Sequence, residues 1–151
     1  MKKALFLIAA ASTFGLASPV LLAHTDDVLD TQKAPNGGQL RMAGPNHYEL
    51  VLVKDAKEAK ENPVVVYVTD HAGQKISTAG AAGTATILAG KLKGAATLKP
   101  DGDNRMKGVA RYASTPGTKV VVSITLAGKQ AEQARFTPLA VAKDTHTDHT
   151  H

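Results

Sequence analysis

Between Ala34 and Pro138, turn-forming residues recur every ~8–12 residues and separate short runs rich in β-branched side chains. The clearest turns are Gly44-Pro45-Asn46, the run 100–104, Pro116-Gly117 and Gly128-Lys129. None of the intervening segments has the ~10–15-residue helical pattern that a parallel sheet needs between its strands. This spacing predicts an all-β chain, a single immunoglobulin-like antiparallel β-sandwich of seven to eight strands with flexible termini.

Three local features refine the strand assignment. The runs on either side of Gly90 are predicted to form a hairpin. The charged run 55–62 (DAKEAKEN) is expected to be an insertion with one helical turn. The three consecutive valines at 64–66 indicate a strand that is buried on both faces.

The first 23 residues have the layout of a secretory signal peptide. Two lysines follow the initiator methionine, and the apolar run from Ala4 to Leu16 is shorter than the ~20 residues that a membrane-spanning helix needs. Cleavage after Ala23 is favoured, and cleavage after Ala17 remains an alternative. The chain is therefore divided into a signal peptide (1–23), a flexible acidic N-terminal segment (24–36), a β-sandwich domain (37–138) and a disordered His-rich tail (139–151).

The composition narrows the class of protein. The whole sequence lacks cysteine, which excludes a lipoprotein anchor, a thiolate zinc site and a redox motif. An exported, disulfide-free chain of this kind indicates the bacterial periplasm. After signal removal, 16 basic and 13 acidic residues are spread along the chain and only four aromatic residues remain. Nucleic-acid binding needs clustered charge or stacked aromatics, so we expect neither a nucleic-acid partner nor membrane insertion after signal cleavage.

Apparent catalytic motifs fail on their spacing. Six residues separate Gly83 from Gly90, where a phosphate-binding loop requires four, and Leu92 stands where that loop needs Ser or Thr. The run 101–104 (DGDN) opens like a calcium loop, but Tyr112 occupies the position of the required glutamate. We therefore predict that the protein is not an enzyme and has no organic cofactor.

The histidines carry the main functional signal. Three of the six lie within the last six residues, close to an aspartate. Imidazole and carboxylate ligands without thiolate suit Cu(II), Zn(II) or Ni(II), and a short His-rich tract is a compositional sign of metal binding. The tail is therefore predicted to bind metal through His146, Asp148, His149 and His151. The alternative is that this polar end only keeps the protein soluble.

The other three histidines are candidate ligands of a second kind. If the signal is cut after Ala23, His24 becomes the amino terminus and can chelate copper through its amine and its ring. His47 and His71 are the candidates for the partner ligand, although each taken singly also fits an ordinary turn residue. Met42 and Met106 could bind Cu(I), but a methionine within a strand is more often core filler.

Three patterns occur in residues 34–138, which are most of the mature chain: GG-x5-G-x4-EL within APNGGQLRMAGPNHYELVL, Y-x2-D-x2-G-x2-I within VYVTDHAGQKISTAGAAG, and the closing QARF. In these patterns the chain resembles a family of small exported bacterial proteins. It is also similar to the periplasmic N-terminal module of some heavy-metal efflux adaptors. The resemblance implies a sandwich fold and periplasmic metal handling, with the His-rich ends as contact points. The adaptor's hairpin and barrel domains have no counterpart in this chain.

These observations predict a soluble periplasmic protein that binds or buffers copper or zinc in heavy-metal homeostasis or efflux. Its expected partners are the metal ion and a component of a heavy-metal efflux system. The alternative is a non-enzymatic structural or protein-interaction domain of the envelope without a metal role.

Overall fold

The computed structural model describes residues 25–141, which form one short helix and eight strands. The elements are α1 (Asp26–Asp30), β1 (Gln39–Ala43), β2 (Asn46–Leu52), β3 (Lys60–Asp70), β4 (Ala82–Ala89), β5 (Leu92–Pro100), β6 (Arg105–Tyr112), β7 (Lys119–Thr125) and β8 (Ala131–Phe136). Every strand pair is antiparallel, so the predicted all-β sandwich-type fold is confirmed.

The strand order is β1-β2-β3-β6-β5-β4-β7-β8. Consecutive strands pair as hairpins except at two places, where β3 pairs with β6 and β4 pairs with β7. Strands β4, β5 and β6 form a meander. Strand β3, which precedes it in the chain, lies beside its last strand, β6, and strand β7, which follows it, lies beside its first strand, β4. This is Greek-key connectivity, which is usual in β-sandwiches. The sheet folds over near β5 and β6, where Lys99 and Pro100 of β5 pair with β6.

The core lies between the inner faces of the folded sheet, and all eight strands contribute to it. Alternation within each strand supplies the buried side chains, because successive residues point to opposite faces. The largest fully buried residues of the strands are Tyr48, Leu50, Val64, Val66, Val68, Ile87, Leu98, Met106, Tyr112, Val120 and Ile124.

Two local predictions were wrong. The run 55–62 forms no helical turn, because its last three residues already belong to β3 and the remainder is an irregular loop. Val65 is only half-buried, whereas Val64 and Val66 are fully buried, so this part of β3 buries one face completely and covers the other in part. The valine run reflects β-propensity on both faces rather than burial on both.

The first and last strands in this order, β1 and β8, lie next to each other. The backbone N–H of Thr137, just after β8, donates a 2.8 Å hydrogen bond to the Gln39 side chain at the start of β1. At the other end of β1, a Cβ on Gly44 would overlap the Glu132 carboxylate of β8. The sandwich therefore approaches a closed barrel on this side. Among the described residues, no helix is long and apolar enough to cross a membrane.

Candidate metal centre

The outer face of the β1-β2-β3 sheet contains two unexpectedly buried polar residues. Tyr48 and Leu50 point into the core, so alternation turns His47 and Glu49 outwards. Outward residues of a sandwich strand are ordinarily exposed, yet His47 is 6% and Glu49 3% exposed. A segment of the chain must therefore cover this face.

The cover consists of residues 25–38, which we call the cover segment. Its helix α1 presents Leu29, which is 1% exposed, to a small apolar cluster with Ala34 and Leu40, and Met42 packs against that cluster. Leu40 pairs with Glu49 and Met42 with His47, so these four side chains share the outer face. The cover segment therefore lies on the face that carries His47.

Ionic contacts fix the same segment. The Arg41 guanidinium, 8% exposed, lies 2.7 Å from an Asp30 carboxylate oxygen and 3.6 Å from one of Asp26. Residues 24–36 are predicted from the sequence to be a flexible acidic segment, but their described part, residues 25–36, is held by a buried leucine and a buried arginine. A helix that packs on a sheet is recognised in a sequence by apolar residues repeated at helical spacing. One leucine in an acidic stretch forms no such repeat, so the sequence did not predict this packing.

Glu49 closes the far end of the cover segment. Its carboxylate accepts hydrogen bonds from the backbone N–H of Asn36 at 2.8 Å, from the Asn36 side-chain amide at 2.9 Å, and from the backbone N–H of Gly38 at 3.0 Å. Both carboxylate oxygens are thus engaged by neutral donors. Glu49 therefore acts as an anchor for the chain and is poorly placed to be a metal ligand.

His71 reaches the same region from the turn after β3. The Asp70 carboxylate accepts two 2.9 Å hydrogen bonds from the backbone N–H groups of Ala72 and Gln74, and Gly73 adopts a φ of 77°. This side-chain-capped turn is the kind that Asp and Gly favour. It holds His71 beside the start of β2, because the first residue of β2, Asn46, pairs with the last residue of β3, Asp70.

The structure brings the two histidines together. The rings of His47 and His71 stack with their centroids 4.8 Å apart and their planes inclined by 23°. Metal–nitrogen bonds of ~2.0–2.1 Å place two imidazole nitrogens on one ion roughly 3–4 Å apart. The two ring centroids lie 4.8 Å apart, so the two imidazoles are close enough to be considered as ligands of one ion.

A cavity of about 480 Å³ opens beside the pair. We call it the histidine cavity. Its lining comprises Gln32, Lys33, Pro35, Asn36, Leu40, His47, Glu49, Tyr67, Thr69, His71, Ala72, Gly73, Lys75 and Asn104. The cover segment, the β2-β3 face and the turn after β3 each contribute a wall. This volume lies within the ~300–1,000 Å³ typical of ligand sites.

The other metal ligands predicted from the sequence lie near the two ends of the chain. His24, His146, Asp148, His149 and His151 all lie outside the described residues. Within residues 25–141, no group of three or more His, Asp or Glu side chains could hold a metal ion. A complete site built on the histidine pair would thus need ligands from elsewhere.

The two methionines differ in position. Met42 shares the outer face with His47, whereas Met106 is fully buried in the main core on the inner face of β6. Met106 is therefore core filler, and of the two only Met42 lies near the histidine pair.

The structure explains the first of the three sequence patterns, GG-x5-G-x4-EL. Gly37 adopts a φ of 74°, and a Cβ on Gly38 would overlap the carbonyl of Leu50. Because Gly38 also donates to Glu49, the GG and EL elements of the first pattern contact each other directly. These residues are required by the cover segment rather than by a ligand.

Comparison with known proteins adds little on function. No family model matches the chain, and no curated protein matches it. Among solved structures, the chain is similar to a conjugative transposon lipoprotein from Bacteroides eggerthii DSM 20697, with 9% identity and a TM-score of 0.34. The alignment covers 62% of this chain and 95% of that one. A likeness this distant supports no functional argument, since one fold can serve many functions.

Proposed function

We propose that this is a periplasmic protein that binds or buffers copper or zinc, with His47 and His71 as its fixed ligands. The observation that carries the proposal is the stacking of these two rings at the wall of a solvent-open cavity. Two histidines from separate elements converge there, in a chain without a thiol ligand. Neutral imidazole is a ligand suited to both Cu(II) and Zn(II).

The surroundings of the pair also suit a bound cation. Glu49 contributes a negative charge at the cavity wall, and the side chains of Tyr67, Thr69 and Asn104 add polar groups. Polar groups that lie next to metal-binding imidazoles can orient them and tune their basicity. The pairing of β2 with β3 and the Asp70-capped turn after β3 would hold the two rings at a nearly fixed separation, which lowers the entropic cost of binding.

The periplasmic location and the link to metal efflux rest on the sequence. The signal-peptide layout of residues 1–23, the lack of cysteine and the His-rich tail support them. In this proposal, the tail histidines add further ligands, and the protein passes its metal to a component of an efflux system.

The test is calorimetric titration of the mature protein with Cu(II) and with Zn(II). We expect binding that is lost or weakened at least ~10-fold in His47→Phe and in His71→Phe, because phenylalanine keeps the stacked ring and removes the nitrogen ligand. A variant with a scrambled 142–151 tail separates the contribution of the tail.

A matched control is Lys91→Ala in the β4-β5 turn, which is exposed and belongs to the opposite sheet. This variant should bind as the unmodified protein does. If both His→Phe variants bind as tightly as the control, the pair is not the site. If the unmodified protein binds neither metal more tightly than a His47→Phe/His71→Phe double variant with a scrambled tail does, an envelope interaction role becomes the better explanation.

A further inference from the structure

The histidine cavity is larger than a bare metal ion needs, and two lysines line its wall. We propose that the metal enters this site as a complex with a small organic chelator that has two or more carboxylates. His47 and His71 bind the metal of this complex, and Lys33 and Lys75 bind its carboxylates. This inference rests on the proposed function and specifies the form in which the site takes its metal.

The first step is the number of ligands that the protein supplies. Within residues 25–141, no group of three or more His, Asp or Glu side chains could hold a metal ion. The carboxylate of Glu49 at the cavity wall already accepts three hydrogen bonds from Asn36 and Gly38. Zn(II) in proteins and Cu(II) in tetragonal sites take at least four ligands. Besides the two imidazoles, at least two positions on the metal are therefore left for ligands that this part of the chain does not provide.

The second step is the charge around the histidine pair. Lys33 and Lys75 are exposed side chains, and within the described part of the chain neither forms an ion pair. Glu49 supplies one negative charge at the wall, which balances only one of the two ammonium groups. The lysines therefore disfavour a bare dication, because like charges repel at short range. A chelator with two carboxylates cancels the charge of the metal, and its outer oxygens can accept charge-assisted hydrogen bonds from the lysines.

The third step is the position of the two lysines. Lys75 forms an antiparallel bridge with Thr69, and Thr69 pairs with His47 on β2. Residues paired in this way share one face of a sheet, so these three side chains form a row in which neighbours are about 5 Å apart. Lys33 comes from the cover segment, directly before Ala34, which is buried in the small apolar cluster. The two lysines therefore reach the cavity from different walls, one from the sheet and one from the cover segment.

The fourth step is the space available. The volume of about 480 Å³ is that of sites which hold small organic ligands. One water occupies about 30 Å³ in the liquid, so a metal ion with a few waters would fill only part of the cavity. Gln32 and Thr69, which also line it, carry neutral hydrogen-bond donors. A chelated metal therefore matches the size, the charge and the open coordination positions of this site better than an aqueous ion does.

The test compares two copper complexes that differ in charge but not in the number of donor atoms. Iminodiacetate binds Cu(II) through one nitrogen and two carboxylates, and diethylenetriamine binds it through three uncharged nitrogens. Both complexes leave positions open for imidazole. The mature protein is titrated in a background where His24, His146, His149 and His151 are replaced by Ala. We expect it to bind the iminodiacetate complex at least ~10-fold more tightly, because only that complex offers carboxylates to the two lysines.

The lysines are tested by a double substitution. Lys33→Gln/Lys75→Gln removes both charges and keeps polar side chains, so we expect affinity for the iminodiacetate complex to fall by about 5- to 30-fold. Affinity for the diethylenetriamine complex should not fall. The matched control is Lys91→Gln/Lys119→Gln, which changes the net charge equally at two exposed lysines of the opposite sheet. This control should leave both affinities unchanged.

Equilibrium dialysis with radiolabelled iminodiacetate supplies an independent readout. One iminodiacetate should be retained for each copper, whereas a protein that retains copper without it would overturn the proposal. Equal affinities for the two complexes, or for the lysine variant and its control, would overturn it as well. If His47→Phe/His71→Phe abolishes copper binding while Lys33→Gln/Lys75→Gln binds as its control does, the proposed function stands and this inference fails.

Discussion

Glu49 illustrates how a single residue can look functional and be structural. It is a buried carboxylate in a histidine-bearing cavity, which is a common description of a metal ligand. Its three hydrogen bonds to Asn36 and Gly38 assign it instead to holding the cover segment. A sequence cannot distinguish the two roles, because the donors are two backbone N–H groups and one side-chain amide that lie 11 and 13 residues away.

Replacing Glu49 tests that assignment. Glu49→Gln removes the negative charge and replaces one acceptor oxygen with an NH2 group, which faces the N–H groups of Asn36 and Gly38. We therefore expect a loss of about 1–3 kcal/mol in the free energy of unfolding. Urea denaturation measures it, with Glu58→Gln, an exposed loop residue, as the matched control. Equal stability of the two variants would show that the carboxylate does not anchor the segment.

Tyr48 gives a prediction about alkaline pH. Burial, with a smaller contribution from the Glu132 carboxylate, raises the pKa of its phenol to about 12 from 10.0. Because the folded-state pKa is the higher one, the neutral phenol stabilises the fold below pH 10, and that stability is lost as the pH rises from about 10 to 12. The difference corresponds to at most about 2.7 kcal/mol.

The measurement for Tyr48 is the urea midpoint between pH 9 and 12. Tyr48→Phe should flatten the decline, and it should cost little at pH 7 because the only hydrogen bond found for the hydroxyl among the described residues is a long one of 3.5 Å to Ile124. Burial also raises the pKa of Tyr112, which should account for part of the remaining decline. An identical pH profile in Tyr48→Phe would contradict the assignment.

At the scale of elements, the sequence located the strands better than the helix. Turn residues such as Gly90 and Gly128 ended the strands where the structure ends them, and both adopt positive φ. Helix α1 escaped prediction because five residues offer no helical period. Its stability comes from Leu29 and Arg41, which contact elements that only the fold brings near.

A pair of neighbouring substitutions tests the anchoring of α1. Leu29→Ala removes a side chain that is 1% exposed, whereas Val28→Ala removes one that is 44% exposed. A buried leucine truncation costs about 2–5 kcal/mol, which would speed amide exchange in residues 28–37 by at least about 30-fold. Val28→Ala should exchange as the unmodified protein does, and equal protection in the two variants would mean that Leu29 does not hold the helix.

At the scale of the whole molecule, the histidine cavity joins three parts of the chain. The cover segment, the β2-β3 hairpin and the turn at His71 all contribute to its wall. Those parts must be assembled for the cavity to exist. A metal bound there would therefore bind the folded state in preference to the unfolded one and stabilise the entire fold.

This linkage can be measured by thermal unfolding. With free Cu(II) at 100 times its dissociation constant, the expected stabilisation is about 2.7 kcal/mol. The rise in Tm should disappear in the His47→Phe/His71→Phe double variant and persist in the protein with a scrambled tail. A rise that instead follows the tail alone would place the metal outside the cavity.

The sequence by itself determined the β class, the strand positions and the turns, because these depend on local backbone preferences and on side-chain alternation within each strand. Only the tertiary structure decided that β3 pairs with β6 and β4 with β7, since such pairings join residues far apart in the chain. The same holds for the candidate site. His47 and His71 were each noted individually, but their stacking depends on the β2-β3 register and on the turn after β3. The cover over this face is held by Leu29, Arg41 and Glu49. Their contacts join residues that are far apart in the chain, and such contacts leave no periodic pattern in the sequence.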